Sequence, residues 1–179
     1  LLSASAHKFH GPKGIGFLYA SSADFDSYLH GGDQEQKKRA GTENLAAIVG
    51  MVSALKEDLN DQVEHYQKLS ALKSAFLEEI AGLDYYLNES NYQLPYVVNI
   101  GFPGQKNDLL LLRLDLEGIS ISTGSACTAG IVQTSHVLEA FYGPDSHRLS
   151  ESVRISLSPL NTEEELKQLA QTLKNIIGD

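Results

Sequence analysis

The sequence is short of positive charge. It has 14 lysines and arginines against 23 aspartates and glutamates, which gives a net charge of −9 at pH 7. Surfaces that bind nucleic acids or anionic membranes need clustered positive charge. The composition therefore argues against direct binding to either kind of partner.

The sequence also has no long apolar run and only one cysteine. No segment approaches the roughly 20 consecutive apolar residues of a membrane span, and the first residues lack a signal-peptide pattern. Because Cys127 is alone, it cannot form an internal disulfide, which is typical of a protein in a reducing compartment. We expect a cytoplasmic protein without a membrane segment.

What is present is enough for a folded core, since 42% of the 179 residues are hydrophobic and 21% are charged. The patterns predict strands at 14–20, 96–100, 119–121 and 153–157, and a polar loop at 30–42. They predict helices over 108–116 and 134–141, and two consecutive helices or one bent helix from residue 43 to 80, with Thr42 as N-cap. Thr162 and Glu165 form a capping box that opens a final helix. Strands that alternate with helices in the second half indicate an α/β or α+β layer packed on one sheet.

A hydroxyl, an imidazole and an amine lie close together in Ser5, His7 and Lys8, just before a glycine turn and a strand. A lysine can act as a Schiff-base nucleophile where burial or a neighbouring cation lowers its pKa. On its own, the motif is more often a solvated turn. His7 and His10 have metal-ligand spacing, but no acidic residue or cysteine accompanies them, so we expect no metal site.

Three further positions could carry chemistry. Thr42, after a glycine-rich loop and beside free helix N–H groups, could hold a phosphate or could be only an N-cap. Cys127 is flanked by small and polar residues, which favours a reactive, mobile thiol over core packing. Arg154 is a charge inside an apolar strand, so it needs a carboxylate from the protein or from a ligand.

Together and in this order, these segments resemble the cysteine desulfurases, which are class V, fold-type I pyridoxal 5′-phosphate (PLP) enzymes. The matching motifs are Ser-x-His-Lys-x-x-Gly-Pro-Lys-Gly-x-Gly at 5–16, Gly-Gly-x-Gln-Glu-x-x-x-Arg-x-Gly-Thr-Glu-Asn at 31–44, Ser-Thr-Gly-Ser-Ala-Cys at 122–127 and Val-Arg-x-Ser-Leu at 153–157. The long insert between Cys127 and Arg154 is similar to the subgroup with an extended catalytic loop.

The resemblance implies a role for each residue. Lys8 matches the lysine that binds PLP covalently, and Ser5 and His7 match side chains that hold its phosphate. Thr42 matches a threonine that reaches the cofactor phosphate of the partner subunit in a homodimer. Cys127 matches the nucleophile that takes sulfur from L-cysteine as a persulfide, for delivery to a sulfur-acceptor protein in iron–sulfur cluster assembly or tRNA thiolation. Arg154 matches the arginine that binds the substrate carboxylate.

The resemblance also implies the domain organisation. The PLP lysine of the family lies near mid-chain, but here it is residue 8, so the chain resembles the C-terminal part of a fold-type I enzyme. We expect residues 1–44 to be the end of the large PLP-binding domain. Residues 45–179 would then be a helical connection and the small α/β or α+β domain. Alone, the chain is expected to hold PLP weakly or not at all.

Two other functions are compatible with the sequence. One is a different PLP enzyme of the same fold, such as a selenocysteine lyase or an aminotransferase, although Cys127 in its small-residue loop argues against the aminotransferase. The other is a non-catalytic interaction or persulfide-carrier module that uses only Cys127. Cofactor content separates the enzymes from the module.

Overall fold

The structure, a computed structural model, describes residues 1–22, 24–90, 92–124 and 134–178. It divides into two units, Leu1–Val63 (unit 1) and Glu64–Asp179 (unit 2). The division falls inside a long helix, whereas the predicted domain boundary at residues 44 and 45 falls at the start of that helix. The identification of these parts with a large and a small domain stays a prediction.

Unit 1 begins with two antiparallel strands, β1 (Leu2–Ser5) and β2 (Gly16–Tyr19), joined by a 3₁₀ turn at Ala6–Phe9. Strand β2 was predicted from its apolar run, but β1 was not. The loop that follows contains a second short turn at Gln34–Lys37, in which three successive residues, 35–37, have left-handed backbone angles.

Helix α1 (Leu45–Glu79) is one continuous helix of 35 residues. Its N-cap is Asn44, whose side-chain oxygen accepts a hydrogen bond from the Ala47 N–H at 3.2 Å. The predicted cap at Thr42 is wrong, because Thr42 lies two residues before the capping position. The helix does not break into two, since no glycine or proline occurs between residues 50 and 80.

Unit 2 contains a three-stranded antiparallel sheet in the order β3 (Tyr86–Leu87), β4 (Val97–Gly101), β5 (Ser152–Ser156). Its helices are the C-terminal part of α1, α2 (Asn107–Leu116), α3 (His136–Tyr142), α4 (Arg148–Glu151) and α5 (Glu163–Gly178). The predicted strand at 119–121 does not form: only Ser122 makes an isolated bridge, to Arg154. The segment is short, and Gly118 turns the chain with φ of +76° just before it.

The core of unit 2 lies on one face of this sheet. Alternate strand residues Val98, Ile100, Val153 and Ile155 are buried there. Apolar residues of α1, α2 and α5 complete the same cluster, among them Phe76, Leu114 and Leu173. The predicted layer of helices on one sheet is thus present, in its α+β form.

The predicted capping box opens α5 as expected. The Glu165 carboxylate accepts a hydrogen bond from the Thr162 N–H at 3.0 Å, and the Thr162 hydroxyl accepts one from the Glu165 N–H at 3.3 Å. Among the described helices, none is both long enough and apolar enough to cross a membrane.

Candidate functional site

One candidate segment is the 3₁₀ turn of unit 1 that carries His7 and Lys8. The turn closes on itself, because the Gly11 N–H donates to the Ala6 carbonyl at 2.9 Å and the Ala6 N–H donates to the Ile15 carbonyl at 3.0 Å. Ala6 is fully buried, whereas His7 and Lys8 are exposed. Ala6 therefore packs inside, and the side chains of His7 and Lys8 are open to solvent.

The side chains of this turn keep their hydrogen-bonding capacity. Ser5 stands at the N-cap position of the turn without a side-chain cap bond. Within the described part of the chain, no hydrogen bond or ion pair involves the Ser5 hydroxyl, the His7 ring or the Lys8 amine. A hydroxyl, an imidazole and an amine with free donors suit a phosphorylated aldehyde, so the residues present fit PLP.

Thr42 lies in the exposed loop before α1. Because Asn44 caps the helix, the Thr42 hydroxyl is not used for capping and makes no hydrogen bond to any described residue. No hydrogen bond joins Thr42 to Ser5, His7 or Lys8 in the ranges that the structure describes. The predicted phosphate role of Thr42 therefore stays a prediction.

A separate candidate residue is Arg154, at the centre of β5 in unit 2. Its backbone is paired on both sides, to Asn99 of β4 and to Ser122, whose carbonyl accepts from the Arg154 N–H at 2.6 Å. The side chain is half-buried, and its Nε is buried with no hydrogen-bond partner among the described residues. A buried donor without a partner costs roughly 1–3 kcal/mol. An acceptor placed at this Nε would therefore be favourable.

Beside Arg154, the same face of the sheet carries a polar network that the sequence analysis missed. Directly opposed strand residues point to the same face, so Asn99 is the cross-strand neighbour of Arg154. The Asn88 amide donates to the Asn99 side-chain oxygen at 2.8 Å and to the Ser152 hydroxyl at 2.9 Å. The available signal was Asn99 itself, a polar residue between two apolar strand residues.

A second arginine of unit 2, Arg148, in contrast has two aromatic contacts and a hydrogen bond. The Arg148 guanidinium lies 4.0 Å from the ring centre of Tyr86 and 4.5 Å from that of Tyr142, and it donates to the Asn88 side-chain oxygen at 2.7 Å. The Tyr86 hydroxyl donates to Glu151 at 3.1 Å. Burial raises the pKa of Tyr86, a hydrogen bond with Ser152 opposes that rise, and Glu151 adds to it. The Tyr86 phenol therefore stays protonated as a donor at neutral pH.

The remaining predicted residue, Cys127, lies outside the described residues, as does most of the loop around it. Lys8 belongs to unit 1 and Arg154 to unit 2. The two residues are therefore described each within its own unit, and the roles assigned to the individual residues stay predictions.

Comparison with known proteins gives one consistent family. The family model for aminotransferase class-V matches residues 1–169. The chain is 44% identical over 181 residues to the putative cysteine desulfurase IscS 1 of Bacillus subtilis and 41% identical over 182 residues to the cysteine desulfurase IscS of Dictyoglomus turgidum. Each alignment includes 99% of this chain, but only 48% of the Bacillus subtilis relative and 46% of the Dictyoglomus turgidum relative.

Solved structures agree with this family. A NifS-like protein superposes with a TM-score of 0.84 at 31% identity, over 98% of this chain and 45% of that protein. A NifS-like protein from Rickettsia africae gives 0.81 at 26% identity, over 99% and 47%. The chain spans about half the length of the relatives that it matches. It belongs to the aminotransferase class-V family.

Proposed function

We propose that the protein is a PLP-dependent cysteine desulfurase, which converts L-cysteine to alanine and leaves the sulfur on Cys127 as a persulfide. The relatives named cysteine desulfurases support the reaction class. The structural observation that carries the proposal is the buried Nε of Arg154, which has no acceptor among the described residues. An amino-acid carboxylate would supply that acceptor.

The cofactor would be held by residues of unit 1. Ser5 and His7 would donate hydrogen bonds to its phosphate, Lys8 would supply the amine for covalent attachment, and Thr42 would contact a phosphate across a homodimer interface. When bound, PLP would take up the electrons released at the α-carbon of the substrate.

The groups of this chain would do the rest. Arg154 would bind the substrate carboxylate with two charge-assisted hydrogen bonds and so fix the direction of the α-carbon. The Lys8 amine would remove the α-proton and later return it. The Cys127 thiolate would attack the substrate sulfur.

The proposed sulfur transfer conserves every atom and needs no external oxidant or reductant. The carbon–sulfur bond of L-cysteine breaks and a sulfur–sulfur bond to Cys127 forms. Of the two thiol hydrogens, one ends on the terminal sulfur and the other on the methyl group of alanine. The persulfide would then pass to an acceptor protein in the cytoplasm, for iron–sulfur cluster assembly or tRNA thiolation.

The test uses protein expressed from the complete reading frame. We expect it to bind PLP, to attach it at Lys8 after borohydride reduction, and to form equal amounts of alanine and Cys127 persulfide from L-cysteine. Cys127→Ser should abolish the persulfide without loss of PLP. The proposal would be contradicted if the Cys127→Ser protein formed a persulfide. It would also be contradicted if the wild-type protein bound no PLP.

The role of Arg154 has a matched control in the same unit. Arg154→Gln should raise the KM for L-cysteine by roughly 10- to 100-fold, because a charge-assisted bidentate interaction is lost. Arg148→Gln removes the same charge from a guanidinium that is already bound by protein groups, so it should lower Tm and leave KM unchanged. An equal effect of both variants on KM would show that Arg154 does not bind the substrate.

A further inference from the structure

Helix α1 contains one interior glycine, Gly50, among good helix formers. A glycine inside a helix costs about 1 kcal/mol relative to alanine, because it loses more backbone freedom on folding. Close packing against another segment is one reason for a glycine at such a position. The surroundings of Gly50 show such a reason.

Gly50 lies directly under the ring of Pro12. A Cβ at this position would come within 2.8 Å of the Pro12 Cγ and 3.3 Å of its Cδ. The proline ring cannot rotate away as a flexible side chain would. The contact therefore requires a residue without a side chain on the helix.

Pro12 is in turn bound tightly to the turn that carries Lys8. Its neighbour Gly11 donates its N–H to the Ala6 carbonyl at 2.9 Å. A Cβ on Gly11 would lie 2.9 Å from the Ala6 Cβ, and Ala6 is fully buried. A displacement of Pro12 from the helix would consequently displace the turn and Lys8 with it.

A second, weaker contact joins the same two elements. The His10 ring nitrogen Nδ1 lies 3.9 Å from a carboxylate oxygen of Asp58, two helical turns after Gly50. Both side chains are at least one-third exposed, so this pair contributes little. The position of the turn on α1 depends mainly on the contact between Pro12 and Gly50.

We propose that Gly50 is a positioning residue for the cofactor site. Its contact with Pro12 sets where the Lys8 amine lies relative to α1, and therefore relative to the loop with Thr42 that leads into α1. This inference rests on the proposed function, because the group that Lys8 would hold is PLP.

The test compares variants of protein from the complete reading frame by PLP titration, followed by absorbance and by borohydride labelling of Lys8. Gly50→Ala should weaken PLP binding roughly tenfold, because the new Cβ would displace Pro12 and the turn that carries Lys8. Gly82→Ala, in the turn after α1, is the control for the same substitution without a clash, because a Cβ there meets nothing within 4 Å. It should bind PLP as the wild type does.

Rescue separates positioning from simple folding. Pro12→Ala removes the ring atoms that a Cβ at residue 50 would meet, so the double variant Gly50→Ala with Pro12→Ala should regain PLP binding and Lys8 labelling. A Gly50→Ala protein that binds PLP normally would overturn the inference, as would a double variant that binds no better than Gly50→Ala. A wild-type protein without PLP binding would overturn the proposed function together with this inference, whereas the first two results leave the function intact.

Discussion

Unit 1 and unit 2 differ in how they bury apolar side chains. Of the 21 buried apolar residues in the described part of the chain, only Ala6 and Met51 belong to unit 1. Unit 1 exposes large apolar residues at its N-terminus, on both strands, in the loop before α1 and along α1: Leu1, Leu2, Leu18, Tyr19, Tyr28, Leu29, Leu45, Val49, Val52, Leu59 and Val63. Unit 2 exposes some as well, but it builds a continuous core.

The difference shows that the two units are stabilised by different interactions. Unit 2 is stabilised by burial, which contributes about 25 cal/mol for each Å² of apolar surface. Unit 1 is a two-stranded ribbon, a turn and part of a helix, held by backbone hydrogen bonds and close glycine contacts. A ribbon of two strands is marginally stable by itself.

The largest expected difference comes from one substitution made in each unit. Leu114→Ala removes a fully buried side chain of unit 2 and should cost about 2–5 kcal/mol in the free energy of unfolding. Leu45→Ala, at a site that is 70% exposed in unit 1, should change it by less than about 0.5 kcal/mol. Urea denaturation followed by circular dichroism measures both. Similar costs would contradict the contrast in burial.

Amide hydrogen exchange tests the same contrast by strand. The β4–β5 ladder, from Val97–Ser156 to Gly101–Ser152, should exchange roughly a hundredfold more slowly than the β1–β2 ladder, because opening it exposes a core. Exchange read by mass spectrometry of peptides from each strand gives the result. Equal protection would mean that the ribbon is stabilised as strongly as the sheet.

Cation–π contacts provide a smaller matched pair. The Arg148 guanidinium contacts two rings of unit 2, whereas the Lys38 amine of unit 1 lies 4.8 Å from the ring centre of Phe25 and donates to the Phe25 carbonyl at 2.6 Å. We expect Arg148→Ala, which removes two ring contacts and a hydrogen bond, to cost about 2 kcal/mol, and Lys38→Ala, which removes one of each, about 1 kcal/mol. Thermal or urea unfolding distinguishes the values, and a larger loss for Lys38→Ala would reverse the expected order.

The smallest expected effect is a pH dependence of stability at the start of α5. Hydrogen bonds from Asn161 and from the Thr162 N–H lower the pKa of Glu165. Because the folded value is lowered, this contribution to stability is present above the ordinary carboxyl pKa and is lost as pH falls through the lowered one.

The variant Glu165→Gln cannot titrate, so its unfolding free energy should vary less between about pH 5 and pH 3 than that of the wild type. Asn44→Asp supplies the reverse control at the start of α1, where the native cap does not ionise. It should add a pH dependence of the same sign. An unchanged profile for Glu165→Gln would show that the capping box contributes nothing measurable.

Local signals in the sequence were sufficient for much of unit 2. Helix α2, strands β4 and β5 and the capping box of α5 were predicted because each has its own apolar period or capping residues. Strand β3 has two residues, and β1 is mostly exposed, so neither has a period to detect. The N-cap of α1 was predicted wrongly for a related reason. Threonine and asparagine both cap helices, and only the hydrogen bond from the Ala47 N–H identifies Asn44, rather than Thr42, as the cap.

The candidate site was partly predictable for the same reasons. Arg154 was singled out as a charge in an apolar strand, and the structure leaves its Nε without a partner among the described residues. The network of Asn88, Asn99 and Ser152 could not be found, because strand pairing over long sequence separations creates it. The contact of Pro12 with Gly50 likewise depends on two segments that only the fold brings together.

The unsatisfied Nε of Arg154 has a consequence for any attempt to engineer the chain. An apolar residue of similar length, as in Arg154→Met, would remove a buried donor that folding leaves unpaired, and the folded state would gain stability. A selection for heat resistance alone would therefore favour the loss of this arginine. Stabilised variants of the chain should be screened for ligand binding as well as for Tm. Arg154 lowers the stability of the folded chain and is also the residue proposed to bind the substrate.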